Sequence, residues 1–278
     1  LDICTEVLCD EYIDQYHVTY QPLGVILGIM PWNFPFWQVF RAAIPNLALG
    51  NGIILSHAPN VIGSAEKIQT LMQASGLPDN IMQHLVIDHD QAANLIKHPH
   101  ISGVTFTGSQ KTGKHIATLA GNALKKVVLE LGGNDPYIVL DDADLDLAAN
   151  TLVNGRFMNA GQVCISPKRI IATSGIYQTF QEKVMALVHT YQTGDPIDED
   201  CMMGPMARND LCQNIHQQVK QSIQGGAKCM IGGYVEDKPG FYYAPTLLSN
   251  VTPGIPAFDD ELFGPVVSLI HAKDEHEA

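Results

Sequence analysis

Residues 103–115 read GVTFTGSQKTGKH, a short apolar run that ends at Gly108 and leads into a segment with helical spacing. A buried strand that turns through glycine into a helix is the repeating unit of an α/β sheet. Glycines at such a turn leave backbone N–H groups free to meet an anion, and the helix dipole favours negative charge there. The stretch therefore indicates an α/β fold with an anion site that would suit a dinucleotide pyrophosphate.

The same stretch permits two other interpretations. Gly108, Gly113 and Lys114 reproduce the GxxxxGK spacing of a phosphate-binding P-loop. The next residue is His115, where that motif needs Ser or Thr to hold magnesium, so a P-loop would lack an essential ligand. The other alternative is a turn whose glycines merely permit tight packing.

Apolar runs alternate with helical patterns on both sides of this stretch, which predicts parallel sheets with helices on their faces. Two glycines and a proline interrupt the pattern in ELGGNDP (130–136), and we place a domain boundary there, with domains over 1–131 and 132–278. The predicted strands are 23–30, 52–56, 84–87, 103–108, 126–131, 137–140 and 169–173, and the predicted helices are 39–50, 61–76, 111–125, 144–161 and 175–191.

Composition limits the class of protein. The 278 residues are 46% hydrophobic and 16% charged, as in an ordinary globular protein, and the formal net charge of -13 disfavours nucleic acid and anionic membranes as partners. The sequence has no membrane-span pattern and no signal-peptide pattern, so a cytoplasmic protein is expected. The cysteines form no CxxC motif and no ligand-like pairing with His, so we expect reduced thiols. The HPH segment (98–100) is typical of a solvated loop, so we expect no metal site. These cysteines are Cys4, Cys9, Cys164, Cys201, Cys212 and Cys229.

Two polar residues follow or end predicted strands. In GIMPWNFPFWQVFR (28–41), Pro31 and Pro35 place Asn33 on a rigid turn at the carboxyl edge of a strand, where ligands bind in open α/β sheets. Its amide either donates to an oxyanion or stabilises the turn. Glu130 ends the apolar strand VVLEL (127–131), where burial would tune it as a general base unless a Lys or Arg pairs with it.

Cys164 lies in NAGQVCISPKR (159–169), after a predicted helix end and ahead of Lys168 and Arg169. A buried free cysteine is usually inert, but a thiol on an exposed turn near positive charge or backbone N–H groups is activated. The segment contains no His partner, so a carboxylate from elsewhere is the better companion, and Glu130 is the natural candidate.

In this order the segments MPWNFP, FTGS, LELGGNDP, GQVC and DDELFGPVVSL resemble the aldehyde dehydrogenase superfamily over nearly the whole chain. NGIILSHAPNVIGSAEKI, LKKVVLELGGNDPYIVL and GPMARNDL look most like its bacterial succinate-semialdehyde dehydrogenase-like branch. The resemblance implies a Rossmann-like NAD(P)-binding domain over 1–131 and an α/β catalytic domain over 132–278. It also implies missing parts at both ends, a homo-oligomer for the full-length protein, and an inactive protein when this piece is alone.

The resemblance further implies a role for each matching residue. Cys164 is the nucleophile that attacks the aldehyde, Asn33 with the Cys164 backbone N–H forms the oxyanion hole, and Glu130 activates the water that hydrolyses the thioester. Arg41 would hold the distal carboxylate of a semialdehyde such as succinic semialdehyde. The contacts to NAD or NADP would come from Pro31, Trp32, Ser56, Gly108, Ser109, Leu131, Glu261 and Phe263.

Three positions depart from the pattern of the superfamily. Ser56 stands where most members have a Lys that contacts the adenosine ribose, and Pro59 where many NAD-preferring members have Glu. Met158 stands where some succinic-semialdehyde enzymes have a second carboxylate-binding Arg. The departure at Ser56 motivates an alternative hypothesis, a non-catalytic dinucleotide-binding or oligomer-forming remnant of the same family.

Overall fold

The computed structural model describes residues 5–8 and 16–278. The chain divides into an N-terminal unit, Leu1–Leu131, and a C-terminal unit, Gly132–Ala278. Cys4 and Cys9, predicted to be reduced thiols, lie outside the described residues. At the start of the N-terminal unit, β1 (Thr5–Leu8) pairs antiparallel with β2 (Tyr16–Thr19).

The main sheet of the N-terminal unit has five parallel strands in the order β5-β4-β3-β6-β7. The chain enters this sheet at the central strand β3 and adds β4 and β5 toward one edge. It then adds β6 and β7 on the other side of β3. The strand order therefore reverses between β3 and β6, and ligands of open α/β sheets bind at such a switch point, at the carboxyl ends of the strands. The strands are β3 (Val25–Met30), β4 (Gly52–His57), β5 (Met82–His84), β6 (Ile101–Gly108) and β7 (Lys126–Leu131).

Four helices cover this sheet, two on each face. Successive residues of a strand point to opposite faces, so neighbouring residues belong to different cores. Ile26 belongs to the core under α1 (Trp37–Ala48) and α2 (Ile62–Ala74). The next residue, Leu27, belongs to the opposite core, to which Ile96 of α3 (His89–Lys97) and Ile116 of α4 (Gln110–Asn122) contribute.

The C-terminal unit is built around a second five-stranded sheet in the order β10-β11-β12-β9-β8, in which only the β10–β11 pair is antiparallel. Its strands are β8 (Pro136–Val139), β9 (Arg169–Thr173), β10 (Lys228–Ile231), β11 (Thr246–Ser249) and β12 (Val266–Ala272). Its helices are α5 (Leu145–Phe157), α6 (Tyr177–Thr190), α7 (Asn209–Gln224) and α8 (Pro256–Asp259).

The predicted α/β fold class with parallel sheets is confirmed, and the strands predicted at 126–131 and 169–173 have the observed bounds. The strand predicted at 84–87 lies earlier in the chain, as β5 (Met82–His84), and Leu85 and Val86, which follow it, are exposed. The helix predicted over 144–161 stops at Phe157, because the backbone leaves the right-handed helical region at Met158. Within the described residues, no helix combines the length and apolar character needed to cross a membrane.

Candidate active site

The turn that carries Asn33 begins directly after β3, at the switch point of the N-terminal sheet. Pro31, Trp32 and Asn33 follow Met30 and precede α1. The structure therefore places this turn at the sheet edge predicted from the two prolines. Asn33 and Trp32 both make interactions there.

His57, which sequence reasoning missed, supports this turn from the end of β4. Its ring is buried, Nδ1 accepts from the Ala58 N–H at 3.0 Å, and Nε2 lies 2.9 Å from the Pro35 carbonyl oxygen. Nδ1 also lies 3.2 Å from the Met30 carbonyl oxygen, so the ring contacts the main chain on both sides of the turn. The only sequence signal was a His at the end of an apolar strand.

The amino terminus of α4 lies at the same switch point, after β6. Ser109 caps this helix, with its Oγ accepting the Thr112 N–H at 3.3 Å, and Ser109 is exposed. The first turn holds no acidic residue and includes Lys111. An exposed positive helix end beside a lysine fits a phosphate group, as the predicted cofactor contact at Ser109 requires.

The P-loop alternative is wrong, because α4 begins at Gln110 and contains both Gly113 and Lys114. No loop remains between Gly108 and Lys114 to wrap a phosphate. Each glycine has a packing reason instead. A Cβ on Gly108 would lie 2.5 Å from the Phe106 ring, and one on Gly113 would lie 2.5 Å from Leu131 Cδ2.

Ser56 and Leu131 lie at the carboxyl ends of β4 and β7, on the same edge of the sheet as the two turns. Ser56 is 8% exposed and pairs in the sheet with Ile29. All the predicted cofactor contacts of the N-terminal unit therefore lie at strand ends: Pro31, Trp32, Ser56, Gly108, Ser109 and Leu131.

The expectation that Glu130 is buried is wrong, because β7 is the edge strand of its sheet and its side chains alternate between covered and open faces. The Glu130 side chain is 49% exposed, and its Oε1 lies 2.9 Å from Arg41 Nη1. Arg41 also donates from Nη2 to Thr107 Oγ1 and Gln38 Oε1, each at 3.3 Å. Glu130 is therefore paired with an arginine, which is the alternative that the sequence left open. The side chains of Glu130 and Arg41 both line a cavity of about 220 Å³ in the N-terminal unit.

Cys164 lies in a turn of the C-terminal unit and is partly buried with a free thiol. The three residues Asn159, Ala160 and Gly161 have φ of +51°, +53° and +72°, a left-handed run. For a non-glycine residue such as Ala160 this conformation costs about 1–3 kcal/mol, and strain of this kind collects at functional sites. The strain therefore marks the segment before Cys164 as a candidate functional site.

Gly161 brings this turn against the segment that contains Glu261 and Phe263. A Cβ on Gly161 would lie 2.1 Å from the Gly264 carbonyl oxygen, so only glycine fits. Arg156, fully buried at the end of α5, donates to the carbonyl oxygens of Leu262 and Val266 at 2.5 and 2.6 Å. It also donates to Gly161 O and Ser166 Oγ, and burial lowers its pKa.

The basic pair that follows Cys164, Lys168 and Arg169, directs its charged groups to main-chain carbonyl oxygens. The Lys168 side chain is 1% exposed, and its ammonium donates to Cys164 O at 2.5 Å and lies 3.3 Å from Glu261 Oε1. Arg169 donates from Nε to Asn134 O at 2.9 Å, and its guanidinium lies 5.9 Å from the centre of the Phe258 ring. The buried ammonium therefore acts on the Cys164 main chain.

The Glu261 carboxylate also packs on Gly132. A Cβ at Gly132 would lie 1.9 Å from Glu261 Oε2, so the first glycine of the ELGG segment makes room for this carboxylate. The C-terminal unit thus brings together the Cys164 turn and the Glu261–Phe263 segment. Cys164 belongs to one unit and Asn33 and Glu130 to the other, so their joint action stays a prediction. No group of three or more potential ligand residues among the described side chains could hold a metal ion.

The model of the aldehyde dehydrogenase family matches residues 7–278. The chain is 48% identical over 261 residues to the succinate semialdehyde dehydrogenase [NAD(P)+] Sad of Escherichia coli (strain K12), spanning 94% of this chain and 56% of that protein. It is 42% identical over 259 residues to the succinate-semialdehyde dehydrogenase [NADP(+)] of Mycobacterium leprae (strain TN), spanning 93% and 57%.

A solved structure shows the same relationship. The crystal structure of succinic semialdehyde dehydrogenase from Streptococcus pyogenes, in complex with NADP+ as the cofactor, is 36% identical and superposes with a TM-score of 0.95. The alignment covers 98% of this chain and 60% of that one, so the chain spans a little over half the length of the relatives it matches. The family match and these identities show that the chain belongs to the aldehyde dehydrogenase family.

Proposed function

We propose that the whole protein oxidises an aldehyde to the carboxylic acid with NAD or NADP, and that its substrate is a semialdehyde such as succinic semialdehyde. The main observation in support of the proposal is the strained turn before Cys164. This turn holds Cys164, the cysteine of the GQVC segment, beside the Glu261–Phe263 segment. The relatives named above, which act on succinate semialdehyde by name, support the substrate class.

In the proposed mechanism, the Cys164 sulfur forms a bond to the aldehyde carbon, and the carbonyl electron pair moves to oxygen. The Asn33 amide and the Cys164 backbone N–H donate to that oxyanion, a contribution whose loss typically costs about 3 kcal/mol in other enzymes. Loss of a hydride from the hemithioacetal leaves a thioester, and a bound NAD(P)+ would supply the hydride acceptor for this step.

Glu130 completes the proposed reaction. Its carboxylate takes a proton from water, the resulting hydroxide adds to the thioester carbon, and the carbon–sulfur bond breaks to release the acid and the Cys164 thiolate. Arg41 contacts Oε1 of Glu130, and the carboxylate keeps further lone pairs that can accept the proton. Exposure of half of the Glu130 side chain is compatible with access of water.

The proposed cofactor contacts match the chemistry of each residue to one part of the dinucleotide. The positive end of α4 at Ser109 suits a pyrophosphate, and the Glu261 carboxylate suits the ribose hydroxyls. Pro31, Trp32, Gly108, Leu131 and Phe263 are the remaining proposed contacts. Ser56 offers a hydroxyl where a charge is usual in the family, so we expect weaker binding of the adenosine half.

The test is to mix the whole protein with NAD or NADP and succinic semialdehyde and to follow NAD(P)H absorbance. We expect turnover by the wild type, and no turnover but unchanged cofactor binding by Cys164→Ala. Cys201→Ala, which changes a partly buried thiol in another loop, is the matched control and should keep its activity. Cofactor binding without any turnover by the wild type would favour the non-catalytic remnant instead.

A further inference from the structure

Lys168 places a full positive charge in the interior of the C-terminal unit, between two segments of the proposed site. Its ammonium donates to Cys164 O at 2.5 Å and to Ser166 O at 3.2 Å, both in the turn of the nucleophile. The same ammonium lies 3.3 Å from Glu261 Oε1, an ion pair without the alignment of a good hydrogen bond. One side chain therefore contacts both the cysteine turn and the carboxylate.

We propose that Lys168 is a positioning residue that couples the Cys164 turn to the Glu261 carboxylate, so that neither holds its geometry without the other. The inference rests on the proposed function for the roles of Cys164 and Glu261, but the physical coupling does not depend on those roles. Lys168 contacts no reacting atom in this account and acts through the two groups that it holds.

The charges at this position make the coupling strong. A buried ammonium is stable only where acceptors and an opposite charge surround it, because its lost hydration must be replaced. The carbonyl oxygens of Cys164 and Ser166 supply the acceptors, and Glu261 supplies the charge. Burial lowers the pKa of Lys168, and Glu261 opposes that shift. Loss of Glu261 would therefore weaken the bonds from Lys168 to the cysteine turn.

The carboxylate is constrained from a second side. Oε2 of Glu261 packs where Gly132 leaves no room for a side chain, while Oε1 contacts the ammonium. Loss of Lys168 would remove the ion pair at Oε1 and leave the packing against Gly132 at Oε2. A carboxylate so released could no longer present one fixed orientation to a ribose.

Arg156 connects the same two segments and yet has a different role. Its four bonds go to carbonyl oxygens and to Ser166 Oγ, and none goes to the Glu261 side chain. Arg156 therefore fixes the backbone of the two segments, whereas Lys168 connects the backbone of one with the carboxylate of the other.

Hydrogen exchange of the whole protein, without cofactor or substrate, tests the coupling. We expect amide exchange in residues 162–168 to speed up about tenfold or more in Lys168→Met, as the loss of charge-assisted bonds predicts. Glu261→Gln, which keeps Lys168 and the shape of the side chain, should speed exchange in the same residues. Lys183→Met is the matched control, because it removes an exposed lysine paired with Asp146, and it should leave that segment unchanged.

A double-mutant cycle on cofactor affinity provides the second readout. If the two side chains act as a unit, Lys168→Met and Glu261→Gln each weaken NADP binding, and the double variant is little weaker than the worse single one. Fully additive losses, or unchanged exchange at 162–168 in Glu261→Gln, would overturn the coupling. If Lys168→Met does not fold, exchange in Glu261→Gln still decides. If the wild type shows no dehydrogenase activity but exchange at 162–168 is faster in both variants, the proposed function is contradicted and the coupling is still supported.

Discussion

Arg41 Nη1 lies 2.9 Å from Glu130 Oε1, so the guanidinium proposed to hold a substrate carboxylate already contacts the carboxylate proposed to act as base. A semialdehyde with a distal carboxylate would compete with Glu130 for this guanidinium. Binding of such a substrate would then change the surroundings of the base, whereas an aldehyde without a carboxylate would leave the pair intact.

Arg41→Gln should therefore separate these two classes of substrate. We expect the KM for succinic semialdehyde to rise about tenfold or more, since a hydrogen bond to a charged group is lost, and the KM for butanal to change little. Arg208→Gln, which breaks an exposed pair with Asp210, is the control and should affect neither. An equal rise of KM for both aldehydes would contradict a role of Arg41 in carboxylate recognition.

Gly132→Ala should displace the Glu261 carboxylate, because the new Cβ would lie 1.9 Å from Oε2. Cofactor affinity, measured by titration with NADP and protein fluorescence, is expected to fall. Gly133→Ala is a matched control, since the atoms nearest its Cβ would belong to the Asp135 carboxylate, with Oδ1 at 3.3 Å. Equal effects of the two substitutions on NADP affinity would contradict a role of Glu261 in cofactor binding.

Ser56→Lys should tighten cofactor binding by supplying an ammonium donor at the end of β4, beside the other proposed contacts. The dissociation constants for NAD and NADP, measured by calorimetry, are expected to fall. Gln73→Lys adds the same charge on an exposed position of α2 and controls for net charge. If only the control gains affinity, Ser56 does not lie at the cofactor.

The stability of the protein should depend on pH through Lys168. Burial lowers its pKa below the ordinary 10.5, against the raising effects of Glu261 and Asp135 and with Arg156 adding to the lowering. Between the lowered pKa and 10.5 the unfolded chain binds more protons at this lysine than the folded chain, so folding becomes more favourable as pH rises. Denaturant unfolding of the wild type and Lys168→Met should show the wild type gaining stability relative to the variant in that alkaline range. A constant or falling difference would contradict the burial of a charged lysine.

The sequence predicted the parts of the fold that depend on local pattern. Strand and helix alternation and the turns at Pro31 and Gly108 follow from neighbouring residues. The burial of Glu130 was predicted wrongly because VVLEL reads alike in a central strand and in an edge strand, and only the strand order distinguishes the two.

The interior contacts of the candidate site could not be predicted in the same way. The burial of Lys168 could not be predicted, because its partner Glu261 is far away in the sequence and a lysine without a known partner is normally exposed. His57 gave only the weak signal of a His at the end of an apolar strand, since its partner Pro35 lies on another segment. The left-handed run at Asn159 and Ala160 also requires the surrounding packing, as Ala does not favour that conformation by itself.

The most direct test of the central claim is to find the covalent intermediate. The whole protein carrying Glu130→Gln is mixed with NADP and succinic semialdehyde, quenched in acid, digested and examined by mass spectrometry. We predict one rapid release of NADPH per active site and an acyl group on the peptide that contains Cys164, because hydrolysis is slow without the base. An NADPH burst with the acyl group on another cysteine, or with Cys164 unmodified, would contradict the account.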